Sequence, residues 1–291
     1  MRNTPASRFR RFTRAITREV GALDICFLGR GRPLGAARVI NAIGSGHEDI
    51  ADIRDYLGLD SGLMSRLLRG LEEEGLVAVE EHPRDRRRRV ARLTSDGARE
   101  FATYEQLSDK QALDILARAP RPEEVLKAMD LIALVFDRDH IAIEEVDPAG
   151  EAARHCLEQY YAELGRRFEG GFDVARSRDP AARDMVRPRG AFLVAMSDEH
   201  PVGCVGLKGN GGGFAEIKRL WVSSEARGFG LGMRLMNAAE TVARELQVRT
   251  LRLDTNRALP EAAQLYRAAG WLEIDRFNDD PYADFFFEKK I

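Results

Sequence analysis

The chain has 291 residues, 44% of them hydrophobic and 32% charged, with a formal net charge of −2. That length suits two domains of ordinary size, each able to bury its own core, and the near-neutral balance excludes a chain that is basic throughout. Three widely spaced cysteines (Cys26, Cys156, Cys204) argue against a disulfide framework and against a zinc site and fit a reducing cytoplasm, and no stretch approaches the ~18 apolar residues of a membrane span.

The start of the chain is basic and amphipathic (Arg8, Phe9, Arg10, Arg11, Phe12, Arg14). Glu19 and Asp24 follow without an apolar leader core, so it reads as a helix rather than a transit segment. Ile16, Val20, Leu23 and Phe27 continue at helical spacing until the run Gly29–Gly35 breaks it. Helices are predicted over Leu34–Ile43 and Glu48–Tyr56. After a turn at Gly58–Asp60, a third runs from Gly62 to Glu74, with Ser61 as its expected N-cap and Gly75 as its C-terminal stop. Two short helices across a glycine turn make a helix-turn-helix. Ser61, Ser65, Arg66 and Arg69 lie off the apolar face of the second, where groove-facing side chains would sit.

Two strands follow, Leu76–Glu80 and Arg89–Leu93, around the basic run His82–Arg89. Arg84, Arg86 and Arg87 repel one another there unless they meet an anion, and double-stranded DNA is the natural one. Asp85 is expected to pair with a neighbouring arginine and hold the tip. The bland alternatives are a helix-turn-helix used only for packing and a solvated arginine loop. Taken in order, LEEEGLV, DRRRR and LTSDGARE resemble the MarR family of regulators. The resemblance implies a mainly α winged helix-turn-helix domain over residues 1–138. It also implies a homodimer through helices at about 8–28 and 95–138, with Asp85, Arg86 and Arg87 in the wing. Leu107, Leu113, Leu116, Leu126, Met129 and Val135 are among the apolar positions available for that interface.

Asp137–His140 reads as the junction to a second domain, residues 139–291, in which strands and helices alternate as in an α/β fold with a mixed sheet. Strands are expected at Ile141–Val146, Ala191–Met196, Val202–Leu207, Phe214–Val222, Thr250–Asp254, Trp271–Phe277 and Phe285–Lys289. Helices are expected at Glu151–Phe168, Gly230–Leu246 and Leu259–Ala269. Between the fourth strand and its helix lies SSEARGFGLG. Arg227, Gly228, Gly230 and Gly232 there make a turn in which backbone amides and a helix N-terminus can receive a diphosphate. The spacing is neither that of a dinucleotide fold nor that of a Walker loop.

Arg227, Gly230 and Gly232, the preceding EIKRLWV, and Asn256 followed by AAQLYRAAGW together resemble the GNAT acetyltransferases over about 150 residues. The resemblance implies acetyl-CoA as cosubstrate, with no metal. Leu220 and Val222 would hold its acetyl and pantetheine part, Arg227–Gly232 its diphosphate, and Asn256 would lie near it. Tyr266 would protonate the departing thiolate while a neutral amine attacks the thioester and a backbone amide stabilises the oxyanion. Glu216 is the candidate base, or else a pocket carboxylate for a cationic substrate, or a paired acid. Cys204 reads as core. Arg166, Arg167, Arg176, Arg178, Arg183, Arg187 and Arg189 lie in the region that would choose the acceptor, and such charge would attract a carboxylated amine such as an amino acid.

The whole reads as a cytoplasmic regulator joined to an N-acetyltransferase for a small primary amine, with that molecule or a related one expected to relieve DNA binding as inducer. Three alternatives stay open: a regulator whose second domain senses acetyl-CoA or a ligand without turnover, an enzyme whose winged helix only dimerises it, and a protein-lysine acetyltransferase.

Overall fold

The computed structural model describes residues 4–82, 85–176, 184–209 and 213–291, with Arg86 described by its backbone alone. Helix α1 (Pro5–Glu19) starts where Thr4 accepts the Ser7 N–H and Pro5 presets the first turn. The expected continuation through Phe27 does not form. The helix stops before Gly21, Leu23 is 85% exposed, and Phe27 is buried in a separate 3-10 turn. Helices α2 (Leu34–Gly44), α3 (Ile50–Tyr56) and α4 (Ser61–Glu73) follow. The N-cap of α4 is Asp60, whose carboxylate accepts the Leu63 N–H at 2.8 Å, and not Ser61, which is already helical. A carboxylate suits that place because it also faces the positive end of the helix dipole.

Strands β1 (Val77–His82) and β2 (Asp85–Leu93) pair antiparallel, so residues 86–89 of the arginine run lie in a strand rather than in a loop. Asp49 bridges Val90, and the Ala91 N–H donates to the Glu48 carbonyl, which docks β2 on the entrance of α3. Helix α5 (Ser95–Leu116) closes this unit, with Tyr104 inside and Leu113 outside. The core gathers Val39, Ile40, Ile53, Met64, Leu68 and Leu71.

The chain divides into two compact units, Met1–Pro122 and Glu123–Ile291. Helix α6 (Pro122–Asp137), expected from the sequence within the first domain, falls almost wholly in the second unit, whose core buries Leu134. Next come β3 (Ala142–Val146), α7 (Glu151–Arg167), β4 (Gly190–Ser197), β5 (His200–Gly209) and β6 (Ala215–Val222). After them follow α8 (Leu231–Glu245), β7 (Thr250–Thr255), α9 (Pro260–Ala268), β8 (Leu272–Glu273) and β9 (Phe285–Lys290). The mixed seven-stranded sheet runs β3-β4-β5-β6-β7-β9-β8. The strand expected over Trp271–Phe277 shrinks to two residues.

Two irregularities open this sheet. β6 and β7 are parallel neighbours, yet only Ala215 and Glu216 pair with Leu251 and Arg252. Beyond them β7 leaves one edge of β6 uncovered. On its other edge, β6 slips register against Cys204–Gly206 of β5, and Arg219 sits at φ 57. Such a bulge bends a strand and re-aims its side chains. The buried Cys204 thiol donates to the Arg219 carbonyl at 3.3 Å, so this core cysteine also satisfies the bulged backbone.

Candidate functional site

In the first unit, Ser61, Ser65, Arg66 and Arg69 all lie on the exposed face of α4, opposite Met64, Leu68 and Leu71. Among the described residues neither arginine is in an ion pair. The wing divides its arginines between two tasks. Arg88 turns back to Asp49 at 2.6 Å and Asp52 at 2.9 Å, and Arg92 meets Glu48 at 2.7 Å, fastening the hairpin to α3. That contact holds the Asp49 carboxyl below its usual range. Arg87 remains exposed. Asp85, expected to pair with an arginine, accepts the Arg87 backbone N–H at 3.0 Å, and no ion pair to it is seen among the described residues. Arg84 lies outside the described residues, as does the side chain of Arg86.

In the second unit a cleft opens where β6 and β7 part. One half, about 470 Å³, is floored by Leu220 and Val222 of β6 and bordered by Arg227, Gly228, Gly230 and Gly232. Gly228 and Gly230 have φ of 84° and 76°, a conformation open to glycine at no cost, and it turns the chain sharply into α8. No side chain caps α8, so its first amides are left to a ligand. Arg227 is anchored beside this turn. Its Nε donates to the Val222 carbonyl and its other arm to Glu163, which also accepts from Trp221. Glycine amides, a helix N-terminus, a fixed cation and an uncovered strand edge fit a diphosphate with an extended apolar arm.

The other half shares Tyr160, Leu164, Leu220, Leu259 and Ala262 with the first, so the two are continuous. Tyr266 and Asp254 line it. Tyr266 is 6% exposed, with its ring against Trp271 and Phe287. Burial, and then the Asp254 charge, push its phenol above the ordinary value. Asp254 accepts from Lys218 at 2.5 Å and from Asn278 at 2.7 Å. Burial alone would lower the Lys218 ammonium, but Asp254 and Glu216 outweigh it and leave it raised.

Glu216 is elsewhere. It is buried on β6, 3.3 Å from the Lys218 ammonium, and does not line either half of the cleft. Of the alternatives open in the sequence, a paired acid fits its place. Asn256 lines this second half, but its amide is engaged: it donates to the Tyr282 carbonyl and accepts the Ala258 N–H. It therefore shapes the loop beside the cleft. Sequence reasoning missed Asp254 and Tyr160. Lys218 could be read as a cofactor or substrate contact, but as a charge on a strand it read rather as solvated until β6 and β7 are placed side by side.

The family model described as Acetyltransferase (GNAT) family matches residues 157–271. An IAA acetyltransferase of Azospirillum brasilense is 32% identical over 156 residues, which is 52% of this chain and 99% of that protein. The chain belongs to the GNAT acetyltransferase family. An uncharacterized N-acetyltransferase of Schizosaccharomyces pombe is 36% identical over 97 residues, 32% of this chain, which spans 59% of that protein's length. A GNAT-family acetyltransferase structure from Staphylococcus aureus aligns at TM-score 0.46 and 18% identity over 52% of this chain and 98% of its own. Ahead of the GNAT unit, the MarR family model matches residues 30–88, which run from before α2 into β2. Among the described residues no group of metal-ligating side chains is found, and no helix is long and apolar enough to cross a membrane.

Proposed function

We propose that this chain is a DNA-binding regulator and an acetyl-CoA-dependent N-acetyltransferase in one polypeptide, acting on the primary amine of a small molecule. One observation carries the enzymatic half: a buried Tyr266, its phenol pushed above the ordinary value by burial and then by Asp254, shares the cleft with Asp254, next to an uncapped helix entered through two left-handed glycines.

Acetyl-CoA, when bound, supplies an acetyl group activated as a thioester. Arg227, Gly228, Gly230 and Gly232 would hold its diphosphate, and the open edge of β6 at Leu220 and Val222 would hold its extended arm. Tyr266 donates a proton to the departing sulfur, a task for a phenol that keeps its proton at neutral pH. Asp254 receives the proton that the amine must lose, with Lys218 and Asn278 fixing its carboxylate. Glu216 acts through Lys218, as a positioning residue and not as the base.

The DNA-binding half rests on Ser61, Ser65, Arg66 and Arg69 of α4 with Arg84, Asp85, Arg86 and Arg87 of the wing. Exposed apolar residues on α1 and α5, such as Phe9 and Leu113, support a homodimer through the first unit. The test has two arms on the full chain. Acetyl-CoA should release free thiol with at least one class among amino acids, polyamines, aminoglycosides and lysine peptides. Selection from random duplexes should enrich one sequence, with affinity that falls as salt rises. No thiol release together with tight acetyl-CoA binding would leave the regulator and replace the enzyme by a sensor. Enrichment of no sequence would reduce the winged helix to a dimerisation unit.

A further inference from the structure

Period two sorts the arginines of the wing. Successive side chains of a strand point to opposite faces, so Arg88, Val90 and Arg92 of β2 share one. That face is docked on α3. Val90 is buried and bridges Asp49 at the entrance of the helix. On one side of it Arg88 reaches Asp49 and Asp52, and on the other Arg92 reaches Glu48. Arg87 and Arg89, one place out of step, are exposed and in no ion pair among the described residues.

Asp49 is used twice at this joint. One carboxylate oxygen caps α3, accepting the Ala51 and Asp52 N–H groups at 2.9 and 3.2 Å, and the other accepts from Arg88 Nε at 2.6 Å. Its side chain is only 10% exposed, so the contact is better shielded from water than a loose surface pair. Arg88 Nη2 goes on to Asp52 at 2.9 Å, so one planar fork is fixed by two carboxylates three residues apart. The Ala91 N–H, donated to the Glu48 carbonyl at 2.8 Å, adds a backbone tie. Ile53 of α3 shares a core with Met64 and Leu68 of α4. A hairpin fixed to α3 is therefore fixed relative to the exposed face of α4. The same ties place two acids beside a basic strand, where plain attraction to phosphate would be better served without them.

We propose that Arg88, anchored on Asp49 and Asp52, is a positioning residue for DNA recognition: it sets the wing against α4 so that Arg87 and the exposed side chains of α4 engage one duplex together. This rests on the DNA-binding reading above. Arg88 itself does not touch the duplex. The two roles open to these acids differ in sign. As plain charges, Asp49 and Asp52 repel phosphate, and neutralising them tightens every duplex alike. As the anchor of the wing they support selective binding, and neutralising them weakens it.

The experiment measures binding of full-chain variants to two labelled duplexes of equal length: the sequence that the wild type enriches from random DNA, and a scrambled version of it. Asp49→Asn with Asp52→Asn keeps the helix cap, since asparagine caps as well as aspartate. This double variant should bind the enriched duplex about tenfold more weakly and the scrambled one as tightly as before or more so. Arg88→Gln should weaken the enriched duplex by a similar factor. Added to the two asparagines it should cost little more, because the three side chains act as a unit. Arg88→Lys, which can meet one carboxylate but not span both, should fall between. An equal change on the two duplexes, tighter or weaker, or losses that add, would overturn the proposal and leave DNA binding standing. If the wild type enriches no sequence, the DNA-binding reading fails instead. Hydrogen exchange on the free chain then decides the anchor: the Ala91 amide should exchange about tenfold faster in Arg88→Gln than in the wild type, and an equal rate overturns it.

Discussion

Tyr266 shows what a buried phenol can and cannot do. Burial and the nearby Asp254 disfavour its charged form, so its pKa lies above the ordinary 10.0 and it serves as an acid, never as a resting base. The turnover rate should therefore rise as the acceptor amine and its base lose protons, then stay level through about pH 9. A decline below that pH, absent in Tyr266→Phe, would contradict this placement. Glu100 carries the opposite shift. The Arg30 hydrogen bonds hold its carboxyl down, burial opposes them, and Arg32 adds to the lowering. Because the folded value lies below the ordinary 4.5, its contribution to stability is complete above that pH and is lost as pH falls through the folded value. Glu100→Gln should cost the first unit about 2 kcal/mol near neutrality, and thermal melts should show less acid sensitivity in the variant than in the wild type.

At the scale of elements, the entrance of α8 is where backbone conformation and ligand meet. Gly230 needs its left-handed φ of 76°, and no neighbour would obstruct a side chain there, so its demand is conformational. Gly230→Val should weaken acetyl-CoA about tenfold or more by calorimetry, with the fold of the first unit unchanged by circular dichroism. This element was legible in the sequence because glycine spacing and a helix start are local. The helices α2 and α4 and the strands β4 to β7 were legible for the same reason, through period and turn residues. Less legible was anything that depends on a partner far along the chain. Arg88 belongs to an arginine run whose ion-pair partners, Asp49 and Asp52, lie far back in the chain. Glu216 left three readings open, a base, a pocket carboxylate or a paired acid, and its place 3.3 Å from Lys218 and outside the cleft lining favours the last. The rings lining the cleft join residues 160–172 to Tyr282, and no periodicity links them. Ser61 lost the cap to Asp60 by one residue, which is within the spread of helix ends.

For the molecule as a whole, a net charge of −2 means that any attraction to DNA must be local. Arg66→Ala and Arg87→Ala should each weaken operator binding across sequences or relax one base position. A phosphate contact would show as a salt slope lower by about 1. If an acceptor shifts operator affinity, the operator must shift acceptor affinity by the same factor, since coupling between two binding events is reciprocal. Fluorescence anisotropy of a labelled operator, with and without acceptor, would measure one side and calorimetry the other. The central claim, however, is chemical, and it stands on one hydroxyl. Thiol release from acetyl-CoA should be compared between the full wild-type chain and Tyr266→Phe, at saturating acceptor. Turnover in the wild type, lower by about 10²-fold or more in the variant with acetyl-CoA affinity unchanged, is the predicted result. Equal rates in the two proteins would contradict it.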